Sequence, residues 1–318
     1  MLVTMKEILD RANDGRYAVI APNVGHELNA RPVIEAAEEL RSPLILDVIY
    51  NASPDLVFFG RYLTELCERS SVPIAINLDH GGSDDPSFDG VLKEVLVAIK
   101  AGFTSVMADR SSQPYGENVA QVRELVRLCH LIGVSVEAEL GHVGAGDRYL
   151  EAGNLVFTEP DEAKRYIDET GIDALAVSIG TAHGAYKGTP KLDFDRLVAI
   201  KEATRFPLVL HGGSGSGDGN IEKACRLGIN KVNVSNDLHR WALDESARYD
   251  TGGNGAYQLW ALIQKGTKAR MKELIGIAGS AGKAWDAPRP GVGTSMLALF
   301  PEHIERIYGM KAGGGQTS

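Results

Sequence analysis

Cysteine is scarce in this sequence. The 318 residues include only Cys67, Cys129 and Cys225, which are odd in number, far apart and without a C-x-x-C pair. This spacing does not fit a disulfide framework or a cysteine zinc site. All three lie in segments with a helical pattern, so we expect buried thiols in a protein of the reducing cytoplasm.

Long apolar runs and an excess of positive charge are also missing. No stretch of about 20 apolar residues occurs, so we expect no membrane span. Residues 1–14 lack the charged-then-apolar layout of a signal peptide. Asp and Glu total 42 against 33 Lys and Arg, which gives a formal net charge of −9. This charge gives no reason to expect nucleic acid or an anionic membrane as a partner.

Short apolar runs, by contrast, are abundant. Eight of them recur, each followed by a helical pattern, and they are rich in Val, Ile, Leu and Ala without clean alternation. Such runs are typical of parallel strands buried on both faces, and eight strand–helix units predict an α/β protein with a (β/α)8 TIM barrel. An open doubly wound sheet is the alternative, but the G-x-G-x-x-G that normally follows its first strand is absent. The predicted strands are 17–23, 43–48, 73–80, 103–109, 134–140, 173–180, 207–213 and 230–235.

Helical patterns continue after the last predicted strand, at 236–248 and 257–277, so we expect extra C-terminal helices on the barrel. We therefore predict one domain over 1–288 and a C-terminal extension over 289–318. Within the extension, 301–310 has a helical pattern, and we expect the glycine-rich end to be a disordered tail.

Three histidines lie at or just after the ends of predicted strands: His80, His183 and His211. The carboxyl ends of barrel strands converge on one face, where active sites are built. By itself, His183 could lie in a flexible turn or be a satisfied buried histidine, but three of only eight histidines at one opening favour a functional site. Three neutral imidazoles can bind Zn²⁺ and leave a fourth position open. The pattern therefore predicts a metal site.

Glycine and small polar residues follow the last two predicted strands. The segments are "HGGSGSGDGN" (211–220) and "NVSND" (233–237). Backbone N–H groups in such loops bind anions well, and the loops after strands seven and eight of a barrel commonly form a phosphate site. We therefore expect a phosphate-binding site here, with a merely flexible loop as the alternative.

Several of these segments together resemble the class II, metal-dependent ketose-bisphosphate aldolases, of the fructose- and tagatose-bisphosphate aldolase type. The resemblance extends from about residue 5 to 285. It is carried by "LDH" (78–80), "VEAELG" (136–141), "SIGTAHGAYKGTPKLDF" (178–194), "LVLHGGSG" (208–215), "KVNV" (231–234) and "GSAGKA" (279–284).

The resemblance implies an enzyme, a carbon–carbon lyase of the aldehyde-lyase kind. Such an enzyme reversibly cleaves a ketose (bis)phosphate to dihydroxyacetone phosphate and an aldehyde through a metal-stabilised enediolate. By the same resemblance, His80, His183 and His211 are the metal ligands and Asp79 is the catalytic acid–base residue. Asp109 and Glu139 provide an alternative metal position. The implied substrate- and phosphate-binding residues are Asn23, Gly184, Lys187, Gly212, Gly213, Ser214, Asn233, Ser235 and Asn236.

The sequence departs from the family pattern at several positions, most of them around the second half of the substrate. Gly81 and Gly82 replace a second histidine, Arg110 follows Asp109, and Asn236 replaces a threonine. The segment "GHVGAGDRYLEAGN" (141–154) is less acidic than its family counterpart. The acid that moves the substrate's carbon-bound proton is therefore open between Asp147, Glu151 and Asp79. An aldehyde other than glyceraldehyde 3-phosphate becomes plausible.

Two other functions remain as alternatives. One is a barrel zinc hydrolase, many of which carry H-x-H on the first strand, where this chain has "APNVGH" (21–26). The other is a non-catalytic sugar-phosphate-binding descendant of the aldolase family. For the aldolase, the ligand types favour Zn²⁺, with Co²⁺, Fe²⁺ or Mn²⁺ as other candidates. The resemblance also suggests a monovalent cation and a homodimer or homotetramer, with a small-molecule sugar phosphate as substrate.

Overall fold

The structure is a computed structural model that describes residues 1–144, 155–184, 186, 188–250, 252 and 255–286. The predicted extension at 289–318, with its helix-like stretch and its tail, lies outside the described residues. The domain boundary at 288/289 therefore stays a prediction.

Strands and helices alternate along the chain in the order that the sequence predicts. All eight predicted strands are present, with ends that differ by a few residues. The strands are β1 Val19–Pro22, β2 Leu44–Ile49, β3 Ile74–Asp79, β4 Ser105–Ala108, β5 Ser135–Leu140, β6 Ala174–Val177, β7 Leu208–Leu210 and β8 Ile229–Val234. The helices are α1 Met5–Gly15, α2 Glu27–Glu39, α3 Leu56–Arg69, α4 Phe88–Ala101, α5 Tyr115–His130, α6 Pro160–Thr170, α7 Phe194–Thr204, α8 Asp218–Leu227, α9 Asn236–Ser246 and α10 Ala256–Ala278.

The strands form one parallel sheet that closes on itself. Its order is β1-β8-β7-β6-β5-β4-β3-β2, so the first and last strands are neighbours. A parallel bridge between Asn23 and Asp47 joins β1 to β2, where the Val24 backbone N–H donates to the carbonyl of Asp47 at 2.9 Å. This closure confirms the predicted TIM barrel and excludes the open doubly wound sheet.

Helix α1 covers the amino-terminal end of the barrel. The Thr4 side chain accepts a hydrogen bond from the Glu7 backbone N–H and so begins the helix. The buried residues of α1, which are Met5, Ile8, Leu9 and Ala12, belong to one apolar cluster with inward-facing strand residues such as Val19. The amino-terminal end is thereby filled with apolar side chains, and the polar interior residues lie towards the carboxyl ends of the strands.

A larger apolar cluster lies between the strands and the surrounding helices. Here the outward-facing residues of each strand, which are buried, pack against the apolar faces of α2 to α8. The two extra C-terminal helices, α9 and α10, are present as predicted. Helix α10 packs against α9 and α2 and reaches β1, where the Ala18 backbone N–H donates to the carbonyl of Ala278 at 3.0 Å.

Among the helices of the described residues, none is both long enough and apolar enough to span a bilayer.

Candidate active site

A small polar cavity of about 60 Å³ lies at the carboxyl ends of the strands. It is the place where the ends of β1, β3, β7 and β8 and the turn after β6 converge. Most of the side chains predicted for the site line it. The lining residues are Asn23, Asp79, His183, Gly184, His211, Gly212, Ser214, Asn233, Ser235 and Asn236.

The three predicted metal ligands lie together beside this cavity. The ring centroids of His80 and His211 are 4.6 Å apart, those of His80 and His183 are 4.8 Å apart, and those of His183 and His211 are 5.6 Å apart. Together with Glu139, they form a group in which one ligand atom from each residue lies within 4.8 Å of the others. The structure therefore brings the three histidines into one cluster, from three separate strand ends.

Carboxylates behind the rings determine which nitrogen of each histidine faces the cluster. His80 Nδ1 lies 2.8 Å from Asp109 Oδ2, and His211 Nε2 lies 2.8 Å from Glu137 Oε1. An ionised carboxylate only accepts hydrogen bonds, so these two ring nitrogens are the donors. The remaining nitrogens, His80 Nε2 and His211 Nδ1, therefore face each other across 2.9 Å. Carboxylates in this position behind metal-binding histidines fix the tautomer and the orientation of the ring.

The three rings differ in their affinity for a proton. Burial acts to lower the pKa of His80, but the neighbouring carboxylates of Asp79 and Asp109 raise it to about 10. Burial and the nearby rings lower the pKa of His183 to about 3. In the absence of metal, His80 therefore carries a proton that it shares with His211, whereas His183 is a neutral imidazole. A cation bound at this position would replace the shared proton.

The donor set fits a divalent metal ion. Three imidazole nitrogens converge, and Glu139 adds a carboxylate whose Oε2 is buried and has no hydrogen-bond partner among the described residues. Burial and the neighbouring Asp109 raise the pKa of Glu139 to about 8. A bound cation would satisfy the buried oxygen and favour the ionised carboxylate. Of the two acids in the predicted alternative position, Glu139 thus joins the histidine cluster, and Asp109 lies behind His80.

Asp79 is the last residue of β3 and is held by two amide side chains. Asn23 Nδ2 donates to Asp79 Oδ2 at 2.7 Å, and Asn233 Nδ2 donates to Asp79 Oδ1 at 3.2 Å. Burial acts to raise the pKa of Asp79, but the neighbouring His80, His211 and Lys231 lower it below its ordinary value. Asp79 is therefore an ionised, oriented carboxylate on the wall of the cavity.

The backbone of His80 helps to place Asp79 and the imidazole side by side. His80 has a φ of 52°, a left-handed conformation that is uncommon for a residue other than glycine. Such strain costs on the order of 1–3 kcal/mol and is concentrated at functional sites. Because His80 directly follows β3, this conformation turns the chain sharply while the side chains of Asp79 and His80 both remain at the carboxyl end of the barrel.

A buried ion-pair network below the cavity was not predicted from the sequence. Lys231 Nζ lies 2.7 Å from Glu137 Oε2 and 3.3 Å from Asp47 Oδ1, and all three side chains are fully buried. Asn77 Nδ2 also donates to Asp47 Oδ1 at 2.8 Å. Because Glu137 also holds His211, the network connects the barrel interior to the metal cluster. The sequence signal was present, since Asp47 and Lys231 are charged residues inside otherwise apolar strand patterns.

The two segments predicted to bind phosphate are joined to each other. Ser214 Oγ accepts from the backbone N–H of Ser235 at 2.9 Å and from that of Asp237 at 3.2 Å. The Gly213 N–H donates to the carbonyl of Asn233 at 3.1 Å, and Gly213 is absent from the cavity lining. A Cβ on Gly213 would come within 2.7 Å of that carbonyl, so glycine is needed for the close approach.

Three predicted residues lie outside the described part of the chain, namely Lys187, Asp147 and Glu151. Arg110, which departs from the family pattern, is described and is buried. Its Nε donates to Gln121 at 2.6 Å and its Nη1 to the carbonyl of Pro86 at 2.6 Å. The Arg110 side chain thus links helix α5 with the segment that precedes α4. It is not part of the cavity lining.

These features define a class of protein. A closed β/α barrel with imidazoles and carboxylates clustered at the carboxyl ends of its strands, beside a polar cavity, is the arrangement of a barrel metalloenzyme. The chain belongs to the class-II fructose-bisphosphate aldolase family, whose profile, described as "Fructose-bisphosphate aldolase class-II", matches residues 3–283. It is therefore a metal-dependent aldolase, a lyase, and the alternative of a barrel zinc hydrolase is set aside.

Individual relatives agree with this assignment. The chain is 38% identical over 292 residues to the fructose-bisphosphate aldolase of Geobacillus stearothermophilus, covering 89% of this chain and 99% of the relative. It is 40% identical over 244 residues to the probable fructose-bisphosphate aldolase of Bacillus subtilis, covering 74% and 82% of the two chains. Among solved structures, the YdjI aldolase of Escherichia coli K12 matches with a TM-score of 0.78 and 31% identity, covering 90% of this chain and all of that one.

Proposed function

We propose that His80, His183 and His211 hold one divalent cation, with which the enzyme reversibly cleaves a ketose phosphate to dihydroxyacetone phosphate and an aldehyde. The observation that carries the proposal is the convergence of these three rings and Glu139 within 4.8 Å, next to the ionised Asp79. The imidazole-rich donor set favours Zn²⁺, while Co²⁺, Fe²⁺ and Mn²⁺ suit the same ligands. Glu139, together with Asp109, offers the alternative metal position.

The bound cation would act as a Lewis acid on the ketone and adjacent hydroxyl oxygens of the substrate and stabilise the negative charge of the enediolate. The histidines supply ligands whose orientation is already fixed by Asp109 and Glu137. His183 needs no deprotonation because its pKa is about 3. His80 must give up its proton before Nε2 can serve as a ligand.

Asp79 is the proposed acid–base residue. Its carboxylate accepts the proton of the C4 hydroxyl while the C3–C4 bond breaks, so that C4 becomes the carbonyl carbon of the departing aldehyde. The electron pair of the broken bond passes to the three-carbon half and forms the enediolate. In the direction of synthesis, Asp79 returns the proton to the new hydroxyl. The hydrogen bonds from Asn23 and Asn233 hold the carboxylate on the cavity wall for both directions.

The phosphate of the three-carbon half is proposed to bind between the segments after β6, β7 and β8. Gly184, Gly212, Ser214, Ser235 and Asn236 line this side of the cavity. Backbone N–H groups of such segments are good donors to phosphate oxygens. Gly213 contributes by allowing the close packing of the two segments. Lys187, which lies outside the described residues, is proposed on the phosphate side from the family resemblance alone. Asn23 is proposed to lie near the ketose hydroxyls, and Asn233 belongs to the segment after β8 that is proposed to hold the three-carbon half.

The aldehyde half of the substrate is proposed to differ from glyceraldehyde 3-phosphate. Support comes from the sequence departures at Gly81, Gly82 and 141–154, whereas the residues of the three-carbon half are retained except at Asn236. The acid that protonates C3 of the enediolate is proposed to be Asp147, Glu151 or Asp79. We further propose a monovalent cation, a homodimeric or homotetrameric assembly, and an aldolase domain that extends over 1–288.

The function is tested by turnover of a panel of ketose phosphates, read through a coupled assay for triose phosphate. The purified protein is assayed as isolated, after chelation, and after the return of stoichiometric Zn²⁺. We expect cleavage that disappears on chelation and returns with the metal. Cleavage that survives complete removal of metal would contradict the proposal, as would the absence of triose phosphate with every substrate.

A further inference from the structure

Arg270 of α10 is a buried cation that the mechanism above does not use. Its side chain is only 7% exposed, and its guanidinium contacts carboxylates from two segments that follow different strands. Nη1 donates to Asp218 Oδ2 at 3.0 Å, and Nη2 also contacts the other oxygen of Asp218. Nη2 further donates to Asp237 Oδ2 at 3.1 Å. Glu273, three residues along the same helix, completes the contacts at 3.0 Å.

The two acids belong to the segments proposed to bind phosphate. Asp218 is the first residue of α8, directly after the glycine-rich turn that follows β7. Asp237 lies in the first turn of α9, directly after the segment that follows β8. Asp237 Oδ1 accepts from the Gly215 backbone N–H at 3.0 Å. The Asp237 N–H donates to Ser214 Oγ, which in turn accepts from the Ser235 N–H.

Arg270 therefore connects both sides of the phosphate-binding region from behind. It does not line the cavity, but Ser214 and Ser235, which do, are two and three hydrogen bonds away from it through Asp237. A planar guanidinium with two donor edges is suited to hold two carboxylates in fixed positions, and a lysine ammonium would not reproduce this geometry.

The charge of Arg270 matters as much as its geometry. The hydrogen bond to Arg270 lowers the pKa of Asp218, so this carboxylate is ionised beside the region that must accept an anion. Within the part of the chain that the structure describes, Asp218 forms no other ion pair. Without Arg270, two carboxylates would stand uncompensated close to the phosphate, and their segments would lose a common anchor.

We propose that Arg270 is a positioning residue for substrate phosphate. It holds the segments after β7 and β8 in a fixed position relative to each other and neutralises the charges of Asp218 and Asp237. This inference rests on the proposed function, because it assumes that these segments bind the phosphate of the three-carbon half. It predicts a specific effect on phosphate affinity and leaves intact the metal cluster, whose residues form no ion pair with Arg270. A merely structural arginine would instead change stability without changing the affinity for substrate.

The test compares the Zn²⁺-loaded full-length protein with Arg270→Met, Arg270→Lys and Lys272→Met. Lys272 is the matched control, since it lies on the same helix, is 42% exposed and pairs with Glu39 of α2 at 3.0 Å instead of with either segment. Binding of dihydroxyacetone phosphate and of inorganic phosphate is measured by calorimetry, together with KM, kcat and zinc content. We expect Arg270→Met to weaken both ligands and raise KM roughly 10- to 100-fold, the usual cost of losing hydrogen bonds to charged groups. We expect kcat to change less than KM, full zinc content, partial rescue by Arg270→Lys, and no effect of Lys272→Met.

The outcomes separate this inference from the proposed function. If the wild-type protein cleaves a ketose phosphate but Arg270→Met binds phosphate and substrate as tightly as wild type, the role of Arg270 is refuted. If the wild-type protein binds zinc but neither phosphate nor any ketose phosphate, the proposed function fails and the inference fails with it. Should Arg270→Met not fold, Asp237→Asn replaces it, because the amide oxygen can still accept from Gly215 while the ion pair is lost. An unchanged KM in that variant would also overturn the inference.

Discussion

Replacing Lys231 by Met tests the energetic role of the ion-pair network inside the barrel. Lys231 is fully buried in β8, and its ammonium lies 2.7 Å from Glu137 and 3.3 Å from Asp47. Methionine fills a similar volume, so the substitution removes the charge with little change in packing. What remains is a pair of carboxylates in the barrel interior without a cation between them.

The expected loss of stability is about 3–5 kcal/mol, the usual cost of removing one partner from a buried ion pair. The free energy of unfolding of an ordinary domain is about 5–15 kcal/mol, so the variant would lose a large part of its stability. The attraction of Asp47 and Glu137 raises the pKa of Lys231, although burial acts to lower it. A lysine with a raised pKa in the folded state stabilises fully below its unfolded pKa of about 10.4, so the loss should be complete at neutral pH.

Asp47→Asn is the matched comparison. Burial raises the pKa of Asp47 well above its ordinary value, and the neighbouring Asp79 and Glu137 add to this effect. The folded state then binds the Asp47 proton more tightly than the unfolded state does. Asp47 therefore contributes favourably to the free energy of unfolding at acid pH, and this contribution is lost as the pH rises through its pKa in the folded state. At pH 7 a neutral asparagine should therefore cost less than about 1 kcal/mol, because Lys231 keeps Glu137 and Asn77 keeps an acceptor.

The assay is urea denaturation of the metal-free proteins at pH 7, followed by circular dichroism. The reasoning would be refuted by a loss below about 1 kcal/mol in Lys231→Met, or by a loss in Asp47→Asn as large as that in Lys231→Met. A second readout is zinc affinity, which should fall in Lys231→Met because Glu137 no longer has its partner when it orients His211.

Two further predictions concern catalysis and packing. Asp79→Asn should retain full zinc content but lose kcat by roughly 10²–10⁴-fold, because a positioned acid–base group contributes about that much; near-normal kcat would remove Asp79 from the mechanism. Phe103→Ala should lower the free energy of unfolding by about 3–5 kcal/mol, because this fully buried ring packs under Gly60 in the layer between strands and helices. A loss below about 1 kcal/mol in urea denaturation would show that the neighbouring side chains refill the cavity.

The fold was largely predictable from the sequence because the barrel repeats one simple pattern. Each strand is buried on both faces, so each appears as a short apolar run, and the helix that follows shows one apolar face. Strand ends were less exact. The predicted 207–213, for example, extends past β7, Leu208–Leu210, because His211 and Gly212 already belong to the turn that builds the site.

The convergence of His80, His183 and His211 could also be predicted, since parallel strands of one barrel end on one face. The orientation of the rings could not. It depends on contacts such as those of Glu137 with His211 and Lys231. These two residues are 74 and 94 positions away from Glu137 in the sequence. Arg110 illustrates the opposite case. Its place beside Asp109 in the sequence suggested a role at the substrate, but the buried side chain donates to Gln121 and to the carbonyl of Pro86 and does not line the cavity.

The central claim, that the three histidines together hold one divalent ion, is tested most directly by metal content. Wild type, His211→Ala and the control His239→Ala, which removes an exposed histidine of α9, are loaded with Zn²⁺, desalted and analysed by elemental mass spectrometry. We predict one zinc per chain in wild type and in His239→Ala, and little or none in His211→Ala. A stoichiometric, tightly held zinc in His211→Ala would contradict the account, because it would show that the ion is bound elsewhere.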